Sequence, residues 1–501
     1  MTGKISLILG SHAHVSPAMG EEDFEDLYRN KLKPFITALN QHTKIQAVLH
    51  YSGPLLCKLE QKKPELFLLI KELVARKRIE LLGGGFYEPL LPFLPSADKI
   101  GQIEMFTTYV RKNFGRKPQG CWLVRDGWDQ SLVGVLNTCG MAYTFLDEEQ
   151  FFAAGCTGRS LFRPVFTEDQ GKLLAVFPVF SSLASMGTKG APELLRGISK
   201  PALVTVFPEF PPGRGEGAVE RFFAELSEFL AEKGEIELTT PGKVYRSCGS
   251  LSRVYFPPSS GRYRDGLIRF EEANDLYSKV FFVHNQINQL RGDKSRKRSA
   301  REELWKAQCV EALSFGHRGD VGAPAVRKYS YRAILASERI TREKEFKPSL
   351  LAFDFNLNST PEYLFQDKNI NCYVRTRGAA VFEFDHLPRG WNYLDTFSGG
   401  ARRRCAFMDR ILPGDFIPPG TDSFPPGGRF CGEENYHVES MDRQKLKVSF
   451  VLPPSGNLPF GAIEIQKIYR LEKNVLHLSY TLCNRGEEKT VFCFIPQFDL
   501  S

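Results

Sequence analysis

The chain has 501 residues, 42% hydrophobic and 25% charged, which is ordinary for a folded globular protein and long enough for two or three domains with a sizeable core. The net charge of +8 comes largely from local runs such as residues 291–301 (RGDKSRKRSAR); without an RRM, KH or helix-turn-helix signature beside it, that run reads as a solvated loop or helix face, and no nucleic-acid partner is expected. The 11 cysteines are odd in number and include no CxxC pair, so zinc spacing and a full disulfide framework are disfavoured and a reducing, cytoplasmic setting is expected; no stretch approaches the roughly 18 apolar residues of a membrane span, and no membrane association is expected.

The apolar run 5–9 is too short for a signal segment and reads as a first buried strand. Further strands are expected at 45–49, 79–82, 120–124, 143–146, 173–177 and 203–207. Between them lie helical patterns at 24–39 (broken or kinked at Pro34), 63–76, 99–113 and 216–232. About seven β–α units in some 240 residues suit a closed or nearly closed barrel with a parallel sheet and outer helices. From 269 to about 345 the texture is mostly helical, with helices expected at 275–290 and 301–315. Beyond Pro348 come short runs at 372–374, 380–384, 447–452, 462–471 and 475–482, with loops at 417–420 and 425–428, an all-β pattern that reads as a sandwich whose strands stop at the end of the chain.

The distinctive segment is Gly83-Gly84-Gly85-Phe86-Tyr87-Glu88-Pro89. Four others keep step with it: His50-Tyr51-Ser52-Gly53-Pro54-Leu55-Leu56, Gly120-Cys121-Trp122-Leu123, Thr167-Glu168-Asp169 with Ala175-Val176-Phe177-Pro178, and Lys306-Ala307-Gln308-Cys309. In order and spacing they resemble glycoside hydrolase family 57, the 4-α-glucanotransferases and α-amylases. The resemblance covers about residues 4–340 and, more faintly, the β region. It implies an α/β architecture: an incomplete (β/α)7 barrel (1–265), a helical region packed on it (266–345) and a C-terminal all-β sandwich (346–501). It implies no metal and no organic cofactor. It leaves a homodimer open, because related glucanotransferases associate.

Retaining glycosidases need two carboxylates about 5–5.5 Å apart, one nucleophile and one acid/base. In the family the nucleophile is a glutamate after a Trp-Leu-x strand end. Here that stretch reads Trp122-Leu123-Val124-Arg125-Asp126-Gly127-Trp128, and the position falls on Arg125. A guanidinium offers no lone pair and cannot form a glycosyl ester. The family's acid/base aspartate falls on Phe210 in Val206-Phe207-Pro208-Glu209-Phe210-Pro211-Pro212. Asp126 and Glu209 are the adjacent carboxylates that could substitute. Asp126 should face away from the site if the strand runs on through it, since successive strand residues alternate faces.

Other positions are mixed. His12 and His14 lie two apart, on one face of an extended segment, and the family's His-Gln-Pro reads His14-Val15-Ser16. Glu80 and Glu88 are retained. The family's Val-Asp-Asp-Tyr-His-Phe reads Leu146-Asp147-Glu148-Glu149-Gln150-Phe151, which puts Gln150 at a histidine position, and Gln-Cys-Asn-Asp reads Gln308-Cys309-Val310-Glu311. By resemblance, His12, His14, His50, Glu80, Glu88, Trp122, Trp128, Gln150 and Glu311 are candidate sugar contacts. The bland readings are hydrogen-bonded buried histidines, a loop-holding Glu88, core tryptophans, and an Arg125 left by drift and paired to Glu209 or another barrel carboxylate. The sharper reading of Arg125 is a site turned to an anionic ligand such as a sugar phosphate. The expected function is an α-glucan or maltooligosaccharide-binding protein impaired in cleavage. The alternatives are an active 4-α-glucanotransferase or α-amylase working through displaced carboxylates, and a structural or assembly role.

Overall fold

The computed structural model describes residues 4–185, 198–208, 217–232, 236–249, 251–315, 320–344, 346–399, 403–414, 428–455 and 458–500. The chain forms two compact units: residues 1–264 with 308–310, and residues 265–307 with 311–501.

Among the described residues the first unit has nine strands: β1 Ile5–Ala13, β2 Ala47–Tyr51, β3 Ile79–Leu81, β4 Gly120–Cys121, β5 Tyr143–Asp147, β6 Val165–Asp169, β7 Lys172–Val179, β8 Ala202–Val206 and β9 Ile236–Leu238. One parallel run is ordered β3-β2-β1-β8, with β9 also on β1; the other is β4-β5-β7, with β6 antiparallel on β7. A bridge from Gly83 to Cys121 joins the runs on one side, and Phe180 N–H donates to Thr205 O (2.9 Å) on the other. Seven of the eight parallel strands among the described residues, β1 to β5, β7 and β8, therefore link around one interior, with β9 beside β1, in keeping with the nearly closed barrel that the spacing of runs implied. The period of two along each strand fills it: Ile8, Val48, Leu82, Tyr143, Phe145, Ala175, Phe177, Leu203 and Phe207 form one buried cluster. Gly10 sits on this inward face because a Cβ there would lie 2.3 Å from the Phe207 ring.

Outer helices include Pro64–Ala75, Ser96–Phe114 and Ala218–Glu232. The expected helix 24–39 is Glu21–Leu27, a π turn Tyr28–Leu32 and Lys33–Gln41, with Pro34 in the first turn of the last piece. Proline lacks an N–H and crowds the preceding turn, and the widened π turn lies directly ahead of it.

The second unit carries helices Glu271–Gln289, Lys294–Lys306 and Pro324–Thr341. The helix expected at 301–315 ends at Lys306, and part of the basic run 291–301 lies on this helix. Two antiparallel sheets follow, one of eight strands from Ser349–Phe353 to Phe492–Phe498, the other His437–Asp442, Lys447–Leu452, Ile463–Glu472 and Val475–Asn484. Phe365, Val374 and Ile411 of the first sheet share a core with Phe450, Ile465 and Tyr469 of the second, as in a sandwich. The loop expected at 417–420, and 425–427 of the next, lie outside the described residues. Among the described residues no helix is long and apolar enough to cross a membrane.

Candidate functional site

β1 and β2 are parallel, with His12 opposite His50, so both imidazoles leave the inward face at the C-terminal end of neighbouring strands. Their rings stack at 5.4 Å and 16°. Trp122, just past β4, lies nearly parallel to both, 4.8 Å from His12 and 5.9 Å from His50, and it also meets Phe207 at 4.5 Å. From the loop after β3, Glu88 enters the cluster. Its Oε1 is 2.7 Å from His12 Nε2 and its Oε2 is 3.1 Å from His14 Nδ1. Gly84 allows this close approach, since a Cβ there would stand 3.0 Å from His50 Nε2 and 3.1 Å from Trp122 O.

Burial pushes the Glu88 carboxyl up, yet the imidazoles of His12 and His14 hold it well below the usual range. An ionised carboxylate only accepts, so in the His12 contact the ring N–H donates to Glu88 Oε1, while His14 stands at ion-pair distance from Oε2. Burial pushes His50 down to about 3, against the opposing pull of Glu88, which keeps it neutral. Among the described residues neither His50 ring nitrogen has a hydrogen-bond partner. A cavity of about 10 Å³ is lined by His50, Gly85, Glu88, Trp122 and Val124 among others.

Glu88 has φ +52, a left-handed conformation that costs a non-glycine residue on the order of 1–3 kcal/mol. The surrounding chain fixes it there. Glu88 N–H donates to Gly85 O (3.0 Å), and Glu88 O accepts from Val310 N–H (3.2 Å), next to the bridge between Pro89 and Cys309. A buried relay continues the support: Tyr87 N–H donates to Gln102 Oε1 (3.1 Å), Gln102 Nε2 to Gln308 Oε1 (2.8 Å), and Gln308 Nε2 to Asp98 Oδ2 (2.8 Å). Gln308 entered the sequence reading only as part of a motif, and Asp98 and Gln102 did not enter it. Their signal was two polar residues four apart on the buried row of Ser96–Phe114 that also holds Phe106, Val110 and Phe114.

Residues 7–186 match the glycosyl hydrolase family 57 model, and residues 261–341 match that of the α-amylase/4-α-glucanotransferase middle domain. Over its barrel and helical region the chain is thus similar to glycosyl hydrolase family 57. It is 26% identical to α-amylase 1 of Dictyoglomus thermophilum over 82% of this chain and 67% of that protein. It is 25% identical to the 4-α-glucanotransferase of Thermococcus litoralis over 78% of this chain and 66% of that one, so it spans about two thirds of the length of these relatives. The crystal structure of 4-α-glucanotransferase from Thermococcus litoralis shares the fold, with TM-score 0.82 and 20% identity over 96% of this chain and 85% of that chain.

The remaining candidates lie as follows. Strand β4 stops at Cys121, and residues 124–127 form a turn closed by Gly127 N–H to Val124 O (2.9 Å). The strand therefore does not persist through Asp126, and the alternation argument does not reach it. Arg125 is exposed on that turn, and among the described residues no carboxylate pairs with its guanidinium. Asp126 has φ +58 and forms an ion pair with Arg262 at 2.9 Å. Glu80 accepts from the Tyr143 hydroxyl and from Gly242 N–H at 3.0 and 3.1 Å, and has no bond to the histidine cluster. Trp128 is 1% exposed and donates its indole N–H to Phe256 O (3.3 Å), a core position. Gln150 lies in the helix Glu148–Ala153 after β5, half-buried. Glu311 lies in the short turn Val310–Ala312. Glu209 and Phe210 lie outside the described residues.

Proposed function

We propose that this family 57 protein binds an α-glucan or maltooligosaccharide at the His12, His14, Glu88 and Trp122 end of its barrel and is impaired in cleaving it. The observation that carries the reading is Arg125, an exposed guanidinium on a turn where the family's motif has its nucleophilic glutamate. Without a lone pair it can neither attack an anomeric carbon nor hold a glycosyl ester. The acid/base position of the motif reads Phe210, so both members of the required carboxylate pair are replaced. Removing catalytic residues that act as a unit costs several orders of magnitude in rate. Asp126 is a weak substitute, since its carboxylate is already paired with Arg262. The cluster keeps what sugar binding needs, a buried carboxylate with two imidazoles beside an indole face on which a pyranose could pack. Eleven cysteines with no CxxC pair support a reducing compartment.

The test is to incubate the purified protein with maltooligosaccharides, separate the products by chromatography, and measure binding on the same preparation. An unchanged ladder with a saturable isotherm supports the reading. Redistributed chain lengths would establish a transferase that uses displaced carboxylates, and an unchanged ladder without binding would leave the structural role.

A further inference from the structure

The same corner of the barrel has the donor set of a metal centre. One ring nitrogen each of His12 and His50 and one oxygen of Glu88 all lie within 4.8 Å of one another. A second observation points the same way. His50 is 1% exposed, has no hydrogen-bond partner among the described residues, and lines the cavity of about 10 Å³ that Glu88 also lines. A buried polar group without a partner costs roughly 1–3 kcal/mol, so something that satisfies it is expected in that space.

We propose that His12, His50 and Glu88 form a site for one divalent transition metal ion, zinc being the best fit. Two imidazoles and one carboxylate suit Zn²⁺ and its neighbours, whereas Ca²⁺ and Mg²⁺ prefer oxygen donors throughout. With metal–ligand bonds of about 2.0–2.1 Å, the three donor atoms settle roughly 3.3 Å apart. The 2.7 Å contact between His12 and Glu88 Oε1 opens to admit the ion, and His12 then carries its proton on the other ring nitrogen. His14 stays on Glu88 Oε2, at 3.1 Å before binding, and orients the carboxylate from behind. This departs from the metal-free site that the family resemblance implied, and it does not depend on glucan binding.

The experiment is equilibrium dialysis of the EDTA-stripped full chain against Zn²⁺, with Co²⁺ as a spectroscopic probe. About one tightly held equivalent is expected, with a cobalt spectrum lacking the thiolate charge-transfer band that cysteine ligation by Cys57 or Cys248 would give. His50→Ala and Glu88→Gln should each weaken binding at least tenfold; His477→Ala, on an exposed strand position, should not. No binding above the level of the His50→Ala variant, or a thiolate band, would overturn the inference. If either variant misfolds, the wild-type stoichiometry and spectrum still decide it. Maltooligosaccharide binding without zinc binding would sink this inference alone; zinc binding without maltooligosaccharide binding would sink the glucan reading alone.

Discussion

His50 should make the barrel acid-sensitive in a measurable way. Its imidazole is buried and held to about 3, against 6.5 for the unperturbed group. Between those values the unfolded chain binds a proton that the folded chain refuses, so this contribution to stability is fully present above about pH 6.5 and is lost as pH falls towards 3. Linkage with these two values gives a loss of about 2 kcal/mol on going from pH 7 to pH 5. His50→Gln keeps a polar group of similar reach and removes the titration. The assay is urea unfolding of metal-stripped protein at the two pH values. Trp305 and Trp391 are replaced by Phe, so that Trp122 and Trp128 report on the first unit alone. The wild type should lose about 2 kcal/mol more than the variant over that interval. A difference below about 0.5 kcal/mol would refute the claim that His50 is buried neutral against Trp122 and Glu88.

Arg125→Glu alone should leave maltooligosaccharide turnover at the wild-type background, because the acid/base position remains Phe210; a rise above about tenfold would reveal another residue supplying the proton. Gln308→Ala should weaken maltooligosaccharide binding about tenfold by releasing Gln102 and the loop that holds Glu88, read by calorimetry, while a ligand-independent Tm drop without that loss would contradict the positioning role. In the second unit, Lys279 Nζ lies 2.6 Å from Glu383, 3.0 Å from Asp385 and 3.5 Å from Glu338, all buried. Lys279→Met should therefore cost roughly 3–5 kcal/mol in denaturant unfolding followed by Trp305 and Trp391, by stranding three carboxylates.

The barrel was legible because its strands are short apolar runs at β–α spacing, and the inward parity of Ile8, Val48 and Leu203 follows from alternation alone. Boundaries failed where a side chain had another partner. Residues 120–124 read as a strand from Cys-Trp-Leu-Val, but pairing stops at Cys121, where Trp122 turns to stack on His12. The hairpin of β6 and β7 was missed as structure. Its two-residue loop, Gln170-Gly171, has positive φ at both positions and joins Asp169 to Lys172, a hairpin turn with glycine at its second position. The helix expected at 301–315 followed apolar spacing that continues past Lys306. The chain breaks there because Cys309 bridges Pro89 and Gln308 joins the buried relay, contacts more than 200 positions apart that no local pattern encodes.

The division of labour around the barrel mouth gives the proposed function its physical sense. The polar groups that match the family motif, His12, His14 and Glu88, enter from β1 and the loop after β3, and they contact one another in the structure. Of the positions that depart from the motif, Arg125 follows β4, on another arc of the ring. Ground-state recognition needs only a preformed polar cluster and a ring face, whereas bond cleavage needs groups that meet charge developing in the transition state. The hydrogen bonds that support the Glu88 loop run through Gln102 and Gln308. A barrel arranged this way can give up hydrolysis without giving up its ligand, and Glu88, kept at φ +52 against its own conformational preference, is the residue whose replacement should reveal that by abolishing binding while the fold persists.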